Sequence, residues 1–306
     1  EIPARAFDPN PKRKLAWDSF ELRQTWLPNN DAGIREFLGL VARHIDRAEA
    51  NGEVNAIIMP ELALDWKYFE ALAKFLYTHS RLEFLIAGTS SNEDGRRGNF
   101  VSTALFFKDA DGDGDLISVR PKHHRWKLDE RQVRQYALGS VLDPMKTWWE
   151  SFHISQREIE IFRFRQSSTF TTLVCEDLAR SDPCQELLRS IGPNIVFALL
   201  MDGPQLKQRW SARYATVLAD DPGCSVLTLT SMGLIVRQRN NGMDTPLTIA
   251  LWKDDRNDVR EITLRPGDTG AVLSLTPRVR TQAYTMDGRS KKSVSWHLNG
   301  VHTLRG

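Results

Sequence analysis

The stretch FTTLVCEDLARSDPCQELLRSIGPNIVFALL, residues 170–200, decides the fold. Residues 170–174 form a short run of aromatic, β-branched and aliphatic side chains, the composition of a buried strand. Residues 184–191 carry a helical pattern, and residues 194–200 are again an uninterrupted apolar run of strand length. Downstream the alternation continues, with a helix predicted over 208–220 and a strand over 225–230. Strands and helices following one another in this way predict an α/β fold with packed sheets rather than an all-α or all-β one.

The same alternation extends upstream. Asp31 reads as an N-cap, and Ile34, Phe37, Leu38, Val41 and Ile45 recur at helical spacing up to the stop at Asn51-Gly52. Residues 55–60 then predict a buried strand ending at Pro60, residues 68–77 a helix, and residues 84–87 a strand closed by Gly88. Residues 100–108 and 115–120 predict a hairpin about an acidic, glycine-containing tip. Further strands are expected over 159–164, 247–252 and 259–264, and a first strand over 15–22. We read residues 1–30 as an irregular lead-in, 31–276 as one domain, and 277–306 as a basic, solvated tail.

The bulk composition narrows the function. Lysines and arginines number 41 against 39 acids, a balance that argues against a dedicated nucleic-acid binder. No apolar run approaches the roughly 20 residues that span a bilayer, and no signal peptide is visible. Three cysteines at irregular spacing give neither a disulfide framework nor a metal-ligand pattern. A reducing, cytoplasmic setting without membrane contact is therefore expected. The acidic tip at residues 109–115 lacks the position-12 glutamate of a calcium loop, and His123 and His124 with Cys175 have the wrong spacing for structural zinc.

Three short segments carry chemistry. Cys175 follows the strand at 171–174, where a sharp turn exposes a thiol and aims backbone N–H groups at a developing oxyanion. Glu61 follows the strand at 57–60, placed to take a proton as a base. Lys122 lies in the basic segment 120–127 after the hairpin, and a lysine beside a thiol favours the thiolate and then the oxyanion. Cys184 and Cys224 have no such setting and read as buried structural thiols.

Taken together and in this order, Met59-Pro60-Glu61, Lys122-His123-His124 and Val174-Cys175-Glu176-Asp177 resemble the nitrilase superfamily of carbon–nitrogen hydrolases. Ala87-Gly88-Thr89-Ser90, the strand containing Asn99, and the segment from Trp210 to Arg213 resemble further family segments, over roughly residues 31–276. The resemblance implies a four-layer α-β-β-α sandwich, a Glu61–Lys122–Cys175 triad, and Glu130 as a second glutamate that positions substrate and lysine. It also implies that the backbone of Glu176 helps to hold the oxyanion. No metal or cofactor is implied; the expected partner is a small-molecule amide, and the expected assembly a homo-oligomer. The cysteine box reads Cys-Glu-Asp where nitrilases carry Cys-Trp-Glu, which directs the expectation to amides rather than nitriles. The alternative is a nitrilase-like domain of a larger protein that acts with a fused partner or a nucleic acid. An acyltransferase on the same scaffold is the rival within enzymes, since substrate choice lies in loops such as 139–152.

Overall fold

The computed structural model describes residues 8–9, 18–283 and 290–306, apart from 51, 80, 110, 111, 155, 166, 241 and 243. With elements numbered along the chain, the first sheet has the order β3 (Ala56–Ile58), β4 (Phe84–Ser91), β5 (Arg97–Asp109), β6 (Gly112–Pro121). The second is six-stranded, with β14 (Val259–Thr263), β13 (Thr248–Lys253), β12 (Ser225–Thr230), β11 (Ile195–Leu200), β10 (Ser168–Val174) and β9 (Phe162–Phe164) side by side. β10, β11 and β12 are parallel, joined by the crossovers that the alternating sequence pattern demands.

Period-2 alternation sorts the apolar residues of the first sheet between its two faces. Leu85 and Ala87 of β4, with Ala104 and Phe106 of β5, pack beneath helices α1 (Asp31–Glu49) and α2 (Trp66–His79). Phe84, Ile86, Val101 and Leu105 point the other way, into the second sheet. There the Phe84 ring stacks on Phe170 at 4.6 Å and meets Phe164 edge-on at 5.6 Å. On the far side of the second sheet lie α4 (Glu186–Ile191) and α5 (Trp210–Asp220), whose Leu188, Ala215 and Leu218 complete that core. The result is the four-layer α-β-β-α sandwich. α6 (Met232–Asn240) closes the edge near β13 through Ile235. With four strands facing six, β3 is an open edge, and a cavity of about 630 Å³ lies beside it, between α1 and the second sheet.

A third sheet, ordered β1 (Asp8–Pro9), β2 (Asp18–Glu21), β8 (Trp148–Glu150), β7 (Lys127–Leu128), covers one end of the sandwich. Its apolar side joins Phe20, Trp126, Leu128 and Trp148 to Val133, Tyr136, Leu138 and Leu142. Phe20 and Trp126 meet edge-on at 6.0 Å. Short α3 (Glu130–Gln135) in this cap starts with a capping box between Asp129 and Gln132.

Two expectations are corrected and one is borne out. The N-cap of α1 is Asn30, whose side chain accepts from the Gly33 N–H at 2.8 Å, and Asp31 is the first helical residue. The first strand expected over 15–22 is present at Asp18–Glu21, where it runs parallel to β8 in the cap. The stretch from residue 277 is no free tail. It belongs to a long hairpin of β15 (Asp268–Ala283) and β16 (Ser290–Arg305), anchored by Val294, Trp296 and Leu298. Trp296 stacks on Phe164 at 5.6 Å and donates from its ring N–H to Ser168 Oγ at 3.1 Å. That apolar spacing of two is the reason: burying three large side chains outweighs the solvation of a few basic ones. The acidic tip at 110–111 lies outside the described residues. Among the described residues no helix is long and apolar enough to cross a membrane.

Candidate active site

The fold carries three strand ends to one place. β3 is parallel to β4, and β6 is antiparallel to β5, itself antiparallel to β4, so β3 and β6 point the same way. Glu61 and Lys122 therefore leave the first sheet from the same end. Glu61 turns off just past Met59, whose N–H still bonds Ile86 O at 2.8 Å. Gly88 makes that turn feasible: a Cβ there would sit 2.5 Å from Glu61 Cα and 2.4 Å from Leu62 N. Cys175 follows β10 at the start of a 3-10 turn, Cys175–Ala179, with φ of +46°. A non-glycine residue in the left-handed region costs on the order of 1–3 kcal/mol, which the flanking strand and turn sustain. The strand-to-turn elbow is as sharp as expected, but its thiol is buried rather than exposed.

Lys122 is the hub. Its ammonium donates to Glu61 Oε1 at 2.9 Å and to Glu150 Oε2 at 2.8 Å, all three side chains being almost wholly buried. Asn99 braces the pair of carboxylates, its Nδ2 reaching Glu61 Oε1 and Glu150 Oε1 at 2.7 Å each. Glu150 Oε2 also accepts from the Trp126 backbone N–H at 3.0 Å. Both Glu150 oxygens are thus engaged, whereas Glu61 Oε2 is buried with no hydrogen-bond partner. An ammonium has three donors, and two are accounted for here. The site therefore offers one unused carboxylate oxygen and one unused ammonium N–H.

Its electrostatics follow from burial. Desolvation pushes the Glu61 carboxyl above its ordinary range; Lys122 pulls it down and Glu150 pushes it further up. Burial opposes the charge on Lys122, yet the two carboxylates win and hold it well above the ordinary lysine range. The Cys175 thiol is pushed well up, first by burial and then by the Glu61 charge, while Lys122 and the Met201 backbone N–H favour the thiolate. Burial thus disfavours charge on Cys175 and Glu61, while the two carboxylates favour it on Lys122.

The expected residues are placed unevenly. Glu61 and Lys122 meet at 2.9 Å, and Cys175 lies near enough for the charge of each to act on its thiol. Glu176 is half-buried beside Cys175, 3.6 Å from Arg180, and burial raises its carboxyl. Glu130 does not join them: it stands exposed on the first turn of α3, paired with Arg134 at 2.9 Å. The second carboxylate on Lys122 is Glu150, delivered from the cap by β8. The reason is geometric, because the chain leaves the site after Trp126 to form β7 and α3 and returns only at Trp148–Glu150. Glu150 shares its strand face with buried Trp148, and a carboxylate on the apolar face of a short strand is the signal that sequence reading passed over.

A second cluster lines the other side of Cys175. Asp202 accepts from the Tyr136 hydroxyl at 2.7 Å and the Trp210 indole N–H at 2.9 Å, and pairs with Arg209. It anchors the segment that presents the Met201 N–H to the thiol. Among the described residues, Asp254, Asp255 and His297 lie close enough together to share a cation. Asp254 is, however, already taken up by His297, by the Arg256 guanidinium and by backbone N–H groups of its own turn.

Comparison with known proteins adds little. The sequence matches no family model and no curated protein. In fold, the chain is similar to a cysteine-to-alanine variant of a Nesterenkonia amidase of the nitrilase superfamily. That likeness has 12% identity and a TM-score of 0.49, covering 80% of this chain and 86% of that one. It is also similar to Nit3 of Saccharomyces cerevisiae, described as a member of branch 10 of the same superfamily. Here identity is 12% and the TM-score 0.47, over 75% of this chain and 80% of the other.

Proposed function

We propose that the chain is a thiol hydrolase of the nitrilase superfamily, cleaving a non-peptide carbon–nitrogen bond of a small amide. One observation carries this reading: a buried lysine held between two glutamates at the strand end beside a cysteine in a left-handed elbow. Glu61 Oε2 takes the thiol proton and Sγ bonds to the carbonyl carbon, driving the carbonyl electron pair onto oxygen. The unused N–H of Lys122 and the backbone N–H of Glu176 receive that oxyanion. Interactions of this kind are each worth about 10²–10³ in rate. As the C–N bond breaks, Glu61 returns its proton to the departing nitrogen, leaving a thioester on Cys175. Glu61 then deprotonates water, whose attack releases the acid and restores the thiol. Glu150 takes the positioning role that the resemblance gave to Glu130, fixing Lys122 throughout. Among amides, nitriles and acyl acceptors, the Cys-Glu-Asp sequence and the polar, carboxylate-rich site favour amides.

The test is ammonia release from a panel of small amides, glutamine and nitriles, with Cys175→Ala run in parallel. Release from an amide that disappears in the variant is the expected result. Equal release by both proteins, or none from any amide by folded wild type, would count against a thiol amidase.

A further inference from the structure

Lys122 and Cys175 sit on different sheets, and nothing in the triad itself fixes one strand end against the other. A buried set of charged and polar groups behind them does. Asp177, two residues past the nucleophile and fully buried, accepts from the backbone N–H groups of both residues that follow the lysine. Its Oδ1 lies 3.2 Å from His123 N and 3.1 Å from His124 N, and its Oδ2 lies 3.3 Å from His123 N. The His124 ring adds an Nδ1 contact at 3.0 Å. On the other side of the lysine, Arg120 reaches back to β10, donating to Thr172 O at 2.6 Å. Lys122 is thus tied on both flanks to the strand and turn that carry Cys175.

The rest of the cluster keeps these ties rigid. His123 Nε2 accepts from Arg120 at 2.9 Å and from the Glu158 N–H at 3.2 Å, so its proton resides on Nδ1, 3.6 Å from Cys184 Sγ. Burial and the Arg120 charge lower its pKa to about 4, keeping the ring neutral beside the guanidinium. Burial also holds the Cys184 thiol up at about 12, which makes it a packing group rather than a second nucleophile.

We propose that Asp177, with Arg120, is a positioning residue that sets the register of Lys122 against Cys175 by clamping the lysine loop to the nucleophile elbow. The inference rests on the reading of Cys175 as nucleophile. Its chemical logic is that three charge-assisted bonds to backbone and ring N–H groups hold a loop more stiffly than neutral ones. A displacement of about 1 Å at a reacting group costs on the order of 10²-fold in rate. Loosening the clamp lowers turnover and the ease of forming the thiolate while leaving substrate affinity nearly unchanged.

The experiment measures iodoacetamide alkylation of Cys175 against pH by intact mass, alongside kcat and KM, for wild type, Asp177→Ala and Asp177→Asn. Expected is at least a tenfold slower alkylation at neutral pH and a pH profile moved to higher pH in Asp177→Ala. Its kcat falls about 10²-fold with KM changed less than threefold, and Asp177→Asn, which keeps one acceptor oxygen, lies between. Should Asp177→Ala fail to fold, the asparagine variant alone decides. An unchanged alkylation profile and kcat in the folded variants, with wild-type turnover still lost in Cys175→Ala, would overturn the clamp and leave the nucleophile reading standing. Amide turnover that survives Cys175→Ala would overturn both.

Discussion

Glu150→Gln, set beside Glu130→Gln, separates the carboxylate the fold uses from the one the sequence suggested. Glu150 Oε2 lies 2.8 Å from the Lys122 ammonium. At an effective dielectric of about 20 that attraction is about 6 kcal/mol, much of it offset by the desolvation of both groups. Removing one partner of such a buried pair typically costs about 3–5 kcal/mol. The amide has a further difficulty. If its oxygen takes the N–H groups of Lys122 and Trp126, its NH2 must face Asn99 Nδ2, donor against donor. Asn99 relieves this only by turning its oxygen round, which breaks its bond to Glu61. We expect urea unfolding, followed by tryptophan fluorescence, to show a loss of about 3 kcal/mol in Glu150→Gln. Amide turnover should fall about 10²–10³-fold. Glu130→Gln removes an exposed i,i+4 pair worth about 0.3–0.5 kcal/mol and should leave turnover unchanged. If the two variants behave alike in both assays, the assignment of Glu150 is wrong.

Other expectations follow from the same physics. His123, whose pKa falls to about 4 on folding through burial beside Arg120, leaves the unfolded chain the better proton acceptor below pH 6.5. Its contribution is complete above that pH and is lost as pH falls towards 4, by roughly 2 kcal/mol. Urea midpoints at pH 7 and 4.5 should therefore converge in His123→Asn, and an undiminished pH effect would assign the loss elsewhere. Trp296→Ala should destabilise the sandwich by about 3–5 kcal/mol in thermal or urea unfolding, because the hairpin is part of the core. A change below about 1 kcal/mol would mean that the hairpin is an appendage.

Glu61, Lys122 and Cys175 were legible because each is announced locally. Glu61 and Cys175 follow short apolar runs, and Lys122 follows a hairpin strand, so strand ends could be read one at a time. What could not be read were relations between distant segments. Eight residues past Lys122, Glu130 has the spacing of a second glutamate, but spacing along the chain cannot show that the cap departs and returns before delivering Glu150. Asp177 stands in the sequence only as part of the cysteine box; its bonds to His123 and His124 cross 54 and 53 positions. The hairpin at 268–305 carries two competing signals. Its basic residues give it the composition of a tail, while the alternation of Val294, Trp296 and Leu298 marks a buried strand.

The central claim is covalent catalysis by Cys175, and it is tested most directly by trapping the intermediate. Enzyme turning over its best amide is quenched in acid within milliseconds, weighed intact, and mapped by peptide mass. The account predicts a mass gain equal to the acyl group, located on Cys175 and absent from Cys175→Ala. Turnover with no adduct on Cys175, or with the acyl group on another residue, would contradict it.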